Sequence, residues 1–181
     1  MTDAAGPDAA ATAAVARVGE LIAEAVTALR AGGARDEALA DYVPERRVLG
    51  VPRAARMTPV GRVWRLGVLL LDADGRISAI GRVVRAERPA RRSIPANAVA
   101  EQRAYRAAAV KGGIHEGDTV NFDARPVDLD ELARDGASGP LVLDGAVVFV
   151  RWSPAQPDAL TPLERYLADR VELLVHSPDG T

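Results

Sequence analysis

Two histidines stand in the chain, and one of them, His115, lies among the carboxylates Glu116, Asp118 and Asp123. An imidazole beside several carboxylates is a minimal set for acid-base work or for holding a cation, so His115, Glu116 and Asp118 are the candidate catalytic residues. The competing reading is a solvated turn, and neither a metal nor a cofactor is expected. His176 falls at the end of the last helical stretch, where an imidazolium suits the negative helix terminus. Cysteine is absent, which removes thiolate nucleophiles, disulfides and Cys-built zinc sites together. Ser138 sits in Gly136-Ala137-Ser138-Gly139-Pro140. That run departs from a Gly-x-Ser-x-Gly elbow, because proline takes the last glycine and a strand rather than a helix follows.

Arginine is the other chemistry-bearing residue. There are 22 Arg against a single lysine, Lys111, and 14 of the arginines lie between Arg46 and Arg106 against four acids. That segment is strongly positive, while the segments on either side are negative and bring the whole chain to −2. Arg85, Arg88, Arg91 and Arg92 fall in a loop, and Arg103 and Arg106 follow on the helix it feeds. Guanidinium forks grip carboxylates and phosphates bidentately, so these six are the candidate ligand-binding residues for an anion. The alternative is that they pair with acids of the same chain or of a partner subunit. Nucleic acid is not the expected partner, since only Trp64 and Tyr105 in this segment offer a ring on which a base could stack.

The elements that must position these residues are read from periodicity. Apolar residues from Ala14 to Arg30 recur at three- and four-residue steps, an amphipathic helix closed by Gly32-Gly33. Asp36 to Tyr42 reads as a short second helix. Val63 to Leu71 reads as one central strand buried on both faces, with Val68 among its core residues. Asp72-Ala73-Asp74-Gly75 turns it into a hairpin, and Asp144-Gly145 makes a second hairpin between Leu141–Leu143 and Ala146–Val150. A helix is expected over Asn97 to Val110, with Ser93 or Asn97 as its cap. Asp128 and Thr161 each begin a capping box opening a later helix. With 181 residues, 48% of them hydrophobic, the chain suits one domain of α+β class. In that reading two hairpins give a mainly antiparallel sheet on which N-terminal, central and C-terminal helices pack. The expected division is a flexible leader over 1–13, the domain over 14–176 and a tail over 177–181. The longest apolar run, Leu66 to Leu71, is far shorter than the roughly 20 residues of a membrane helix, and a cytoplasmic location is expected.

Val68-Leu69-Leu70-Leu71-Asp72-Ala73-Asp74-Gly75-Arg76 resembles the opening strands of Nudix hydrolases. Their catalytic helix carries several metal-holding glutamates, whereas the corresponding helix here offers Glu101 alone. Three further stretches, Arg62 to Leu70, Gly113 to Val120 and Gly136 to Leu141, resemble a family of small, uncharacterised bacterial proteins, some of which carry the label glutaminase. That resemblance implies an amide hydrolase and brings no established catalytic residue with it. The residues themselves favour a non-catalytic binding or assembly module whose arginine-rich face engages a small anion or an acidic protein surface. Self-association is compatible with either.

Overall fold

A computed structural model describes residues 7–48, 51–88, 97–153, 155–156 and 158–176. In chain order the elements are α1 (Pro7–Ala31), β1 (Glu37–Val43), β2 (Arg46–Val48), β3 (Val51–Arg53), β4 (Arg56–Leu66), β5 (Leu69–Asp72), β6 (Ile77–Ala79), β7 (Arg82–Arg85), α2 (Asn97–Lys111), β8 (Thr119–Phe122), β9 (Arg125–Pro126), α3 (Leu129–Asp135), β10 (Ala137–Ser138), β11 (Leu141–Asp144), β12 (Val147–Arg151), β13 (Leu160–Pro162) and α4 (Leu163–Val175). Helices and mostly antiparallel strands make an α+β fold, as expected. The two hairpins are only part of the sheet structure, which is mixed because β1 and β8 run parallel. Among the described residues no helix is long and apolar enough to cross a membrane. The contacts divide the chain into two compact units, one of Met1–Arg35, Trp64–Ala79 and Arg125–Thr181, the other of Asp36–Val63 and Ile80–Ala124.

In the first unit, α1 begins at Pro7 rather than at Ala14, and its apolar stripe of Val18, Ile22, Ala25 and Leu29 is buried. It packs against α4, where Leu163, Tyr166 and Leu167 are buried and Val171 is partly so. Arg17 ties the two helices at the surface, bonding Glu20 at 2.9 Å, Glu24 at 3.0 Å and Glu164 at 3.0 Å. The single strand expected over Val63 to Leu71 is instead the end of β4, a turn and β5. Gly67 makes that turn with φ +65°, and a Cβ there would come within 2.2 Å of the Tyr166 hydroxyl. That hydroxyl donates to the Leu66 carbonyl at 2.8 Å and accepts from the Val68 amide at 2.9 Å. Val68 is therefore a half-buried turn residue, not a core one.

The β5–β6 hairpin forms where the Asp-Gly signal places it. Asp72 Oδ1 accepts from the amides of Asp74 and Arg76 at 2.9 and 2.8 Å. In the β11–β12 hairpin the pairing of Asp144 with Val147 makes Gly145-Ala146 the two-residue link, one position later than expected. Asp128 caps α3, accepting from the amides of Asp130 and Glu131. The expected Thr161 cap of α4 is not used. Thr161 and Pro162 pair with β12 as β13, and the helix starts without a side-chain cap.

In the second unit the strand order is β7-β8-β1-β4, with β2 and β3 as a separate two-stranded arm. Asp36 to Tyr42 is not helical, because Glu37–Val43 is a strand between two neighbours, antiparallel to β4 and parallel to β8. Ala38 and Ala40 alternate into a core with Met57, Val84, Val120 and Phe122, closed by Ala108 and Ala109 of α2. α2 runs one residue past the expected Val110, and its cap, sought in Ser93 or Asn97, lies outside the described residues and side chains.

Candidate functional site

α2 lies against β7, and its residues four apart share a face, so Glu101 and Tyr105 stack along it. The Tyr105 hydroxyl donates to Glu101 Oε1 at 2.7 Å. Arg82, projecting from β7, donates to the same carboxylate at 3.1 Å and also to the tyrosine hydroxyl. Its guanidinium lies 5.1 Å from the Tyr105 ring centroid. The electrostatics follow from these bonds. The hydrogen bond from Tyr105, then that from Arg82, holds Glu101 below the usual carboxylate range. The bond to Glu101 pushes the Tyr105 hydroxyl above its ordinary value, and Arg82 is raised chiefly by its bond to Glu101. Tyr105 also packs edge-on against Tyr42 at 5.0 Å and at 5.0 Å against Phe122.

This network rims a cleft of about 660 Å³ between α2 and the strands β7 and β8, with Val83, Val84 and Phe122 as apolar lining and Arg103 and Arg106 on its wall. Arg106 Nη1 pairs with Glu87 at 2.8 Å, while its Nε is buried with no hydrogen-bond partner among the described residues. A buried guanidinium N–H without an acceptor is costly, and the Glu87 pair satisfies only the Nη1 end of the fork.

Of the six arginines read as anion ligands, the structure brings Arg103 and Arg106 into the cleft. Arg85 ends β7 and does not line it. Arg88 is engaged elsewhere: its amide donates to Glu116 Oε1 at 3.1 Å and its Nε pairs with Glu116 Oε2 at 3.2 Å. Arg91 and Arg92 lie outside the described residues. Arg82, Glu101 and Tyr105 are the residues that sequence reasoning left off the site; they meet only through the packing of α2 against β7, which no local signal in the chain marks.

His115, Glu116 and Asp118 occupy the turn between α2 and β8. His115 and Glu116 are exposed, Asp118 is half-buried, and the His115 carbonyl accepts from the Asp118 amide at 3.1 Å. Asp123 is taken up by Arg82 at 3.7 Å. No group of three or more His, Cys, Asp or Glu side chains among the described residues is placed to hold a metal. Ser138 is buried in the first unit, where its hydroxyl donates to Glu131 at 2.6 Å and accepts from the Asp128 amide at 2.9 Å, a brace for α3. The His176 ring lies 3.1 Å from the Glu172 carbonyl at the end of α4. Comparison with family models, curated proteins and solved structures finds no match for the chain.

Proposed function

We propose that the protein is a non-catalytic binding module whose arginine-rich second unit takes a small organic anion in the cleft between α2 and β7–β8. The observation that carries this reading is a cavity whose wall combines the apolar Val83, Val84 and Phe122 with the cationic Arg103 and Arg106. The volume is within the roughly 300–1,000 Å³ of small-molecule sites. Glu101 does not oppose an incoming anion with a free charge, because Tyr105 and Arg82 already hold it. Val83, Val84 and Phe122 favour a ligand with an apolar body behind its charged group. A nucleobase finds no stacking face, since Arg82 covers one side of Tyr105 and Tyr42 and Phe122 pack against it.

The test is a thermal-shift and calorimetric panel of small mono- and dicarboxylates, against chloride at equal ionic strength, on the full chain and on Arg106→Lys. A ligand that binds only the folded state raises its melting temperature. The expected result is a saturable shift with at least one organic anion. Arg106→Lys should lose it, because an ammonium lacks the planar fork of donors that grips a carboxylate bidentately. Melting curves indistinguishable across the panel, or equal shifts in wild type and variant, would overturn the reading.

A further inference from the structure

A second cavity in the same unit has a different construction. The β2–β3 arm places Arg46 directly opposite Arg53. Arg56 opens β4, and Lys111 closes α2. All four cations line one cavity of about 370 Å³, completed by Val43, Pro44 and Ala54, with no carboxylate in its wall. Elsewhere in this unit arginines meet acids: Arg62 with Asp36, Arg82 with Glu101, Arg88 with Glu116 and Arg106 with Glu87. Among the described residues, none of Arg46, Arg53, Arg56 and Lys111 forms an ion pair.

Like charges directly across a strand pair are destabilising, and a two-stranded arm has little else to hold it together. The base of the arm is nevertheless well fixed. Val43 pairs with Arg56 and Tyr42 with Met57 in the β1–β4 ladder. A Cβ on Gly112 would come within 1.6 Å of the Met57 carbonyl oxygen, so the end of α2 sits directly on the start of β4 and Lys111 is held near Arg56. The terminal carbonyls of α2 do not repel an anion there as an open helix end would. The amides of Gly112, Gly113 and Ile114 already bond to Ala108, Ala109 and Val110.

We infer that Arg46, Arg53, Arg56 and Lys111 form a separate anion site that takes a multiply charged phosphate group, of the kind presented by diphosphate or a small phosphate ester. A monocarboxylate neutralises one of four cations. A diphosphate brings several negative oxygens into the same volume and matches guanidinium forks bidentately. No aromatic side chain lines the cavity, so the phosphate group, not a base attached to it, supplies the recognition. The site shares no residue with the α2–β7 cleft and stands or falls independently of it.

The test is isothermal titration of the full chain with inorganic diphosphate, with ADP and with a short single-stranded oligonucleotide, in chloride buffer of about 0.15 M, where exposed charges more than about 8 Å apart are screened. Diphosphate should bind saturably at one site per chain, and ADP should match it to within about threefold, well under 1 kcal/mol. Arg53→Ala and Lys111→Met should each weaken binding at least about tenfold, near 1.4 kcal/mol. Arg106→Lys should leave it unchanged, which separates this site from the cleft. In the absence of anion, Arg53→Ala should melt no lower than wild type, because it relieves the repulsion with Arg46. Three results would overturn the inference: no binding of diphosphate, wild-type affinity in Arg53→Ala and Lys111→Met, or binding of the oligonucleotide alone. ADP binding far tighter than diphosphate would likewise replace phosphate recognition by nucleoside recognition.

Discussion

At the scale of single residues, what distinguishes one arginine from another is its neighbour. Arg82 is committed to Glu101 and Tyr105, and Arg88 to Glu116, while the Arg106 fork is only half satisfied. The Arg82–Tyr105–Glu101 network has a pH signature with a definite sign. Tyr105 holds its proton more tightly when folded, so its contribution is present below the ordinary tyrosine value of about 10 and fades as pH rises through the raised one. Glu101 is depressed, so its contribution is present above the ordinary value of about 4.3 and fades as pH falls through the lowered one. Tyr105→Phe removes the first effect outright and the chief cause of the second, leaving the bond from Arg82 to Glu101. Melting temperature followed across the pH range should show wild type and variant diverging near neutrality and converging at both ends. Parallel profiles throughout would remove the network from the stability of this unit.

At the scale of elements, the turn between β4 and β5 shows how a tertiary bond overrides a local pattern. Val63 to Leu71 is apolar enough to pass for one buried strand, yet Gly67 reverses the chain and the Tyr166 hydroxyl secures the turn from both sides. Two hydrogen bonds to one buried hydroxyl, at about 1 kcal/mol each net, make Tyr166→Phe cost about 1–2 kcal/mol. Val68→Asp, in the turn, should be tolerated far better than Leu70→Asp, whose side chain is 1% exposed. Urea denaturation of the three variants checks the order; equal loss in both aspartate variants would restore the continuous strand. Strand β1 makes the related point. Ala, Leu and Glu are strong helix formers, and the segment's local propensity is helical. Its neighbours β4 and β8, distant in sequence, pair it as a strand and bury Ala38 and Ala40.

At the scale of the whole molecule, the near-neutral net charge conceals two units of opposite sign. The second unit holds 13 Arg and Lys against nine Asp and Glu, so the first carries the surplus acid. The same view bears on the amide-hydrolase alternative. The chain has no cysteine and a single lysine, His115 is exposed on a turn, and the Glu116 beside it is paired with Arg88. No activated nucleophile results from these residues. Purified full-length protein should release no ammonia from glutamine above a buffer control. Release that disappears in His115→Ala would revive the hydrolase reading.

Much of the architecture was legible in the chain because it depends on local physics. Helical periodicity marks α1, α2 and α4, an Asp-Gly turn marks the β5–β6 hairpin, and a side-chain oxygen at Asp128 finds amides two and three residues ahead. The excess of arginine between Arg46 and Arg106 was equally plain, and so was its ambiguity, since a count of charges says nothing about which are neutralised. Tertiary structure alone decided that. Placing Glu101 and Tyr105 beside Arg82 requires the contact of α2 with β7. Collecting Arg46, Arg53, Arg56 and Lys111 around one cavity requires a strand register and a helix end packed on Met57, contacts between residues far apart in sequence that no local pattern encodes.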